Sequence, residues 1–288
     1  MDDGWSALAA EWSELWAGSA APAHEALIAA SGIRAGSRVL DVGCGSGQFL
    51  RTLGGLGAAA SGVDPAAGMV ALARTVAPLA DIRLAEAENL PFADRSFDVV
   101  TAVNALQFAD DTIDALAEFA RVLAPGGYVA VANWAEGARN DIDAIEAAVA
   151  AAAADGGGVD GELFGDSADG AVGVDGADGA DRGAGAGADH GDGSDRGADG
   201  ADSDLRAAGG LEAVMREAGF EVVEAGLVRV PWFARDDDAL VRGVLLGEDP
   251  SLQRELAPVV LSAASPFRLD GGYTLNNSYR YVVARGPF

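Results

Sequence analysis

The chain has 288 residues, half of them hydrophobic, which is enough for one large domain or two small ones. Its formal charge of −26, with no lysine in the sequence, disfavours non-specific binding to nucleic acid. A single cysteine excludes a disulfide framework, and the lack of a membrane-length apolar run or a signal-peptide pattern predicts a cytoplasmic protein with no membrane partner.

The first 35 residues are predicted to form two helices that cover the rest of the domain. An apolar stripe recurs at helical spacing along the first helix, at Trp5, Leu8, Trp12, Leu15 and Trp16. Such a stripe is typical of core packing or of a lid over a ligand, and both remain open. Pro22 opens the second helix and Gly32 ends it. His24 on this helix is a weak candidate for a catalytic base, and an ordinary surface or core histidine is the alternative.

A short apolar strand over Arg38–Val42 is followed by a glycine loop and by a helix that begins near Ser46. The loop glycines are spaced G-x-G-x-G, at Gly43, Gly45 and Gly47. Glycine lets the backbone turn sharply and lie against a flat ligand, because no Cβ stands in the way. A dinucleotide fingerprint requires its third glycine where Gln48 stands. Asp41, two residues before the loop, suits a ligand with an ammonium group better than one with phosphates.

The run D-V-G-C-G-S-G over residues 41–47 resembles motif I of the class I S-adenosylmethionine-dependent methyltransferases. The resemblance implies that S-adenosylmethionine is the cofactor and that the loop binds this methyl donor. Its donor-site residues in this segment are Asp41, Gly43, Cys44, Gly45 and Gly47. A dinucleotide site, and with it an NAD(P)-dependent oxidoreductase, remains the alternative for such a loop.

A second strand over Ala58–Val63 is predicted to end at Asp64 and Pro65, which we also assign to the donor site. An ionised carboxylate has two acceptor oxygens, so Asp64 suits the two hydroxyls of a ribose diol. The alternative is that Asp64 caps the helix that starts after Pro65. Met69, one turn into that helix, is placed to pack on the adenine face or in the core.

A third strand over Asp81–Ala85 precedes the run E-A-E-N-L-P-F over residues 86–92. This run resembles the D-A-x-x-L-P-F loop of the ubiquinone/menaquinone-type (methyltransferase type 11) branch. The resemblance implies that Glu86 and the backbone N–H of Ala87 read the amino edge of adenine, although glutamate replaces the more usual aspartate. Glu88, in the same loop, is assigned to the donor site with them.

The fourth strand, Ser96–Val103, is β-branched as buried parallel strands are, and it ends at Asn104, the last donor-site residue. The resemblance implies that Gln107 lies at the mouth between donor and acceptor. Gln107 is therefore a second weak catalytic candidate, and ordinary loop polarity is the alternative. A helix over Asp111–Leu123 leads to the run R-V-L-A-P-G-G over residues 121–127, which matches the R-V-L-x-P-G-G turn of the family.

The remaining chain is predicted to close the domain around an acidic insertion. The fifth strand and the helix after it precede this insertion, and a helix, two strands and two cover helices follow it. These elements are Tyr128–Asn133, Asp141–Ala154, the insertion 155–204, helix Leu205–Gly219, strand 220–232, helices Asp236–Gly247 and Ser251–Ala264, and a last strand Tyr273–Arg285. The Asp/Gly/Ala-rich insertion has too few apolar residues to offset its ordering entropy, so we expect disorder and assign no metal site.

These elements predict a doubly wound α/β domain with a seven-stranded, mostly parallel sheet and an antiparallel last strand. Its expected parts are 1–35 (N-terminal cover helices), 36–154 (donor-binding core), 155–204 (insertion) and 205–288 (remainder with substrate-cover helices). The resemblance implies in-line methyl transfer to an O, N or C atom of a small-molecule acceptor, with no obligatory acid–base residue. A non-catalytic regulator that binds the donor is the other alternative. The oligomeric state is not predicted.

Overall fold

The computed structural model describes residues 4–155, 205–269 and 271–287. The predicted acidic insertion lies outside the described residues, apart from Asp155 at the end of a helix. The helices are α1 (Trp5–Leu15), α2 (Ala21–Ser31), α3 (Gln48–Gly55), α4 (Ala67–Val76), α5 (Thr112–Val122), α6 (Asp141–Asp155), α7 (Gly210–Glu217), α8 (Asp237–Val244) and α9 (Pro250–Ala263). The strands are β1 (Arg38–Val42), β2 (Ala59–Asp64), β3 (Asp81–Leu84), β4 (Phe97–Val103), β5 (Leu123–Trp134), β6 (Glu221–Arg229), β7 (Trp232–Ala234), β8 (Arg268–Leu269), β9 (Gly272–Leu275) and β10 (Ser278–Arg285).

Seven strands form one sheet in the order β3-β2-β1-β4-β5-β10-β6. The first five strands are parallel, and β10 runs antiparallel to both β5 and β6. The predicted seven-stranded doubly wound fold is thereby confirmed. Because the chain leaves β1 on one side toward β2 and later returns on its other side as β4, the carboxyl ends of β1 and β4 flank a crevice. In open α/β sheets such a switch point is where ligands bind.

Both faces of the sheet are covered by apolar layers, as parallel strands require. In β1, Val39 packs on one face with α2, α3 and α4, whereas Leu40 and Val42 pack on the other with α5 and α7. All three side chains are nearly inaccessible to solvent. This two-sided burial holds the carboxyl end of β1 rigidly, so the loop that follows starts from a defined position. No helix in the described ranges combines the length and apolar character of a membrane span.

The helix predicted over Leu205–Gly219 is shorter in the structure, where α7 covers Gly210–Glu217. The prediction missed that Gly209 takes a left-handed conformation, with φ 89°, directly before the helix. Two adjacent glycines are poor helix formers, so the preceding residues turn instead of coiling. The apolar residues of this helix are buried against the sheet: Leu211, Val214 and Met215.

The two C-terminal strands predicted as continuous are each divided between two sheets, so that prediction was wrong. β6 pairs with β10 in the large sheet, while β7 pairs with β9 in a three-stranded sheet of order β7-β9-β8. Pro231 separates β6 from β7, and it has no N–H to donate to a ladder. Asn276 and Asn277 separate β9 from β10, where the Asn276 N–H donates to the Asp141 carboxylate at 2.7 Å.

Candidate functional site

A cavity of about 330 Å³ opens at the carboxyl ends of β1, β2 and β4. Every predicted donor-site residue except Gly47 lies on its wall: Asp41, Gly43, Cys44, Gly45, Asp64, Pro65, Met69, Glu86, Ala87, Glu88 and Asn104. These residues are far apart in the sequence, but they come together because parallel strands end at the same edge of a sheet. The fold therefore brings these residues to one cavity, and their contacts with a donor stay a prediction.

The three glycines of the loop have three different surroundings. A Cβ on Gly43 would lie 2.3 Å from the Ala105 Cβ, and one on Gly47 would lie 2.9 Å from the Ala73 Cα. These two glycines allow the loop to pack against its neighbours, and Gly47 lies behind the cavity wall. Gly45 has φ 49° and a Cβ there would meet no atom within 4 Å. The backbone at Gly45 thus faces open space, which fits a flat ligand that lies directly against it.

The Asp64 carboxylate connects the end of β2 to the glycine loop. It accepts hydrogen bonds from the backbone N–H of Gly45 at 2.8 Å and of Ala66 at 3.0 Å. The bond to Ala66 forms a local turn before α4 and is not a helix cap, because Ala66 is the N-cap residue and no side chain caps this helix. Asp64 is 7% exposed and lies on the cavity wall, so the same carboxylate is also placed where the ribose prediction requires it.

Asp41 lies on the wall beneath the glycine loop and accepts a hydrogen bond from the Thr101 hydroxyl at 2.7 Å. Burial raises its pKa to about 7, the Thr101 bond opposes the shift, and the charge of Asp64 adds to it. A cationic ligand group beside Asp41 would favour its ionised form. Burial also raises the pKa of the Cys44 thiol far above its ordinary value, so Cys44 is a packed neutral thiol and not a nucleophile.

Neither weak catalytic candidate has the environment of a strong base. Gln107 does not line the cavity; its Nε2 donates to the Asn104 Oδ1 at 3.1 Å, which holds that wall residue at φ 53°. His24 does line the cavity and stacks on Phe49 with ring centroids 4.3 Å apart. Burial lowers the pKa of His24 to about 4, so the imidazole is neutral near pH 7 and accepts protons weakly. Catalytic roles for the two stay predictions.

Residues 40–131 match the family of methyltransferase domains of type 11. This part of the chain is similar to methyltransferase domains. A malonyl-(acyl-carrier protein) O-methyltransferase from Yersinia pestis is 38% identical over 104 residues, which cover 36% of this chain and 39% of the relative. A demethylmenaquinone methyltransferase from Tropheryma whipplei is 39% identical over 106 residues, which cover 36% of this chain and 44% of the relative. The chain thus spans about two fifths of the length of these curated relatives.

The likeness in fold extends beyond the matched residues. A solved Bacillus halodurans structure, described as a methyltransferase, has a TM-score of 0.55 to this chain at 16% identity and covers 92% of this chain and 99% of that one. At this identity the likeness concerns the fold alone. The segment that matches the methyltransferase family contains the glycine loop, Asp64 and the 86–88 loop.

Helix α1 lines one side of the cavity and is held at both ends. Near its start, the Ser6 hydroxyl accepts a hydrogen bond from the Gly68 N–H at 2.8 Å. Near its end, the indole of Trp16 stacks on Trp232 with centroids 4.2 Å apart and donates to the Gly243 carbonyl at 3.0 Å. Trp5, Trp12 and Trp16 line the cavity and also contact one another in sequence. The apolar stripe is therefore both core and cover.

The cavity wall also includes residues outside the predicted donor site, contributed by β5, α6 and the C-terminal part of the chain. Among them are Trp134, Ile142, Asp143, Glu146, Arg206 and Tyr279. Glu146, which sequence reasoning missed, follows Ile142 by four residues, so the two share a helix face. That spacing, a charged residue on the apolar face of α6, was the available signal. For Arg206 the sequence offers no comparable signal, because it is a single residue from a distant segment.

Proposed function

We propose that this protein transfers the methyl group of S-adenosylmethionine to a small-molecule acceptor enclosed in the cavity. One observation carries the proposal: the open backbone at Gly45, the Asp64 carboxylate and the cover helix α1 meet at a single cavity. The matched methyltransferase domain supports the same reaction. The acceptor atom is O, N or C, and the wall residues outside the matched segment decide among them.

The residues on the wall have roles that follow from their chemistry. Asp64 would accept the ribose hydroxyls, Glu86 and the Ala87 N–H would meet the adenine edge, and Asp41 would face the ammonium group. When bound, S-adenosylmethionine supplies a methyl group on a positively charged sulfur, which is already a good leaving group. The protein therefore acts chiefly by holding donor and acceptor in line, and α1 keeps water out of the cavity.

The test is calorimetric titration of the protein with S-adenosylmethionine, with its demethylated product S-adenosylhomocysteine, and with NADH. We expect both sulfur compounds to bind at one site per chain and NADH not to compete with them. Binding of NADH in preference would favour the oxidoreductase alternative, because a pyrophosphate would then occupy the loop. Absence of binding by either sulfur compound would contradict the proposal.

A further inference from the structure

Glu146 is a carboxylate on the cavity wall that the donor site does not use. It lies on α6, and within the described parts of the chain its side chain makes no hydrogen bond and no ion pair. The neighbouring Arg206 guanidinium bonds the Asp143 carboxylate and the Ala135 carbonyl, and its charge only partly offsets the burial of the Glu146 carboxylate. A buried carboxylate that no cation hydrogen-bonds is stabilised by a positively charged ligand.

Three aromatic side chains form a continuous surface on the same wall, here called the aromatic wall: Trp16, Trp134 and Tyr279. Trp16 meets Trp134 edge to face with centroids 6.2 Å apart, and Trp134 meets Tyr279 in the same manner at 4.9 Å. Tyr279 is only 3% exposed, yet its hydroxyl makes no hydrogen bond to any described residue. Burial raises the pKa of Tyr279, so the hydroxyl stays neutral and can donate.

Helix α6 brings Glu146 to the cavity that this aromatic wall borders. Ile142 and Glu146 are one helical turn apart on the same face, and both line the cavity. Ile142 belongs to the apolar cluster that contains Trp16, and Trp134 packs against that cluster. The carboxylate and the aromatic rings therefore line the same cavity. A carboxylate together with aromatic rings is the combination that proteins use to bind organic ammonium ions.

The charge of the whole cavity wall favours the same class of ligand. Among the described residues, eight carboxylates and one guanidinium line it: Asp41, Asp64, Glu86, Glu88, Asp110, Asp143, Glu146, Glu248 and Arg206. An anionic acceptor would enter against this field. Burial raises the pKa of Glu146 to about 7, with repulsion from Asp143 adding to the shift and Arg206 opposing it. A bound cation would stabilise the ionised carboxylate and so reduce the free-energy cost of burying its charge.

We propose that the acceptor is a small amine, whose ammonium group binds between the Glu146 carboxylate and the aromatic wall; this rests on the proposed methyl transfer. The ammonium group gives one proton to Glu146, which leaves the nitrogen with a lone pair. The lone pair forms a bond to the methyl carbon while the carbon–sulfur bond breaks, and the bonding electrons stay on sulfur. The positive charge passes to the methylated nitrogen, and Glu146 releases its proton to solvent.

The acceptors named for the curated relatives do not bear on this assignment. Those relatives are a malonyl-(acyl-carrier protein) O-methyltransferase and a demethylmenaquinone methyltransferase. The family match ends at residue 131, before Glu146 and Tyr279. The donor loops are thus shared with the family, whereas the residues that would select the acceptor belong to the unmatched part of this chain.

The test uses three compounds of one shape and different charge: 2-phenylethylamine, 2-phenylethanol and phenylacetate. Each is titrated calorimetrically at pH 8 into the full-length protein saturated with S-adenosylhomocysteine. We expect the amine to bind about tenfold or more tightly than the alcohol, and phenylacetate to bind least, since a buried carboxylate pairs with the ammonium group alone. Glu146→Gln should abolish the preference for the amine and leave the affinity for S-adenosylhomocysteine unchanged.

Glu255→Gln is the matched control, because it removes one carboxylate from an exposed position on α9 that does not line the cavity. This variant should keep the amine preference. Equal binding of the three compounds, no binding of the amine, or an amine preference that survives in Glu146→Gln would overturn the amine assignment while leaving methyl transfer intact. Failure of the parent protein to bind S-adenosylhomocysteine would instead overturn the proposed function, and the amine assignment with it.

Discussion

The cavity has two halves that are constructed differently. The donor half, which we propose binds S-adenosylmethionine, consists of the loops after β1, β2, β3 and β4, and each loop residue is positioned by the strand directly before it. The other half, with Trp16, Glu146 and Tyr279, is assembled from the end of α1, from α6 and from β10, which are far apart in the chain. A residue next to its supporting strand leaves a motif in the sequence, whereas one held by distant packing does not. The donor half accordingly lies within the segment that matches the methyltransferase family, and these three residues of the other half lie outside it.

The largest expected effect tests whether the donor half depends on an open backbone. Gly45→Leu should weaken S-adenosylhomocysteine binding by about 100-fold or more, because its side chain would fill the space at the loop. Gly36→Leu is the matched control: Gly36 also has positive φ, 83°, and open space around its Cβ position, but it lies outside the cavity wall. Both variants carry about 1–2 kcal/mol of backbone strain. Equal binding losses in the two would show that strain alone accounts for the effect.

The next effect concerns the carboxylate that joins the two loops of the donor half. Asp64→Ala should weaken S-adenosylhomocysteine binding by about 1–3 kcal/mol through loss of charge-assisted hydrogen bonds, as measured by calorimetry. Asp111→Ala is its control, since Asp111 also accepts two backbone N–H bonds, from Ile113 and Asp114, at the start of α5. Unchanged affinity in Asp64→Ala would remove the ribose role and leave only the structural one.

A smaller effect concerns the other half of the cavity, where the Glu146 carboxylate is expected to lower the free energy of unfolding. The folded protein raises the pKa of Glu146 from 4.5 to about 7, so the unfolded chain ionises this group at lower pH than the folded chain does. Stability should therefore fall as the pH rises from about 4.5 to 7 and stay lower above that. Glu146→Gln should raise the Tm by about 2–5 °C at pH 8 and change it little at pH 4.

Asp41 has the same direction of pKa shift, so part of the pH dependence should remain in the Glu146→Gln variant. Differential scanning calorimetry of the parent, Glu146→Gln and Glu255→Gln at both pH values makes the comparison. A Tm increase of the same size at pH 4 and pH 8 would show that burial of the ionised carboxylate is not the cause.

The smallest expected effect concerns neither half. Deletion of residues 160–200 should change the Tm by less than about 2 °C, because this Asp/Gly/Ala-rich segment contains little apolar surface to bury. Affinity for S-adenosylhomocysteine should also be unchanged. A large drop in Tm would mean that the segment packs against one of the two halves and that its composition is misleading.

Several parts of the donor half were predictable because local chemistry decides them. The β-branched run at 99–103 and the apolar residues of β1 suit strands buried on both faces, and both segments form central strands. The glycine spacing pointed to a tight turn, and the loop residues take positive φ as expected. The prediction of continuous strands after residue 220 was wrong, because Pro231 and Asn277 divide each strand between two sheets. Which strands pair depends on packing between distant segments, and the local sequence does not specify it.

The sequence by itself determined the doubly wound sheet, the glycine loop and the residues that gather at its carboxyl edge, since backbone conformation and strand burial depend on neighbouring residues. Only the tertiary structure decided that α1 is both core and cover, that Gly47 lies behind the wall, and that Glu146 faces a cavity bordered by Trp16 and Tyr279. These outcomes depend on contacts between distant segments, whose free energy comes from mutual burial. A periodic pattern such as the apolar stripe of α1 predicts a buried face, but it does not specify which distant segment that face contacts.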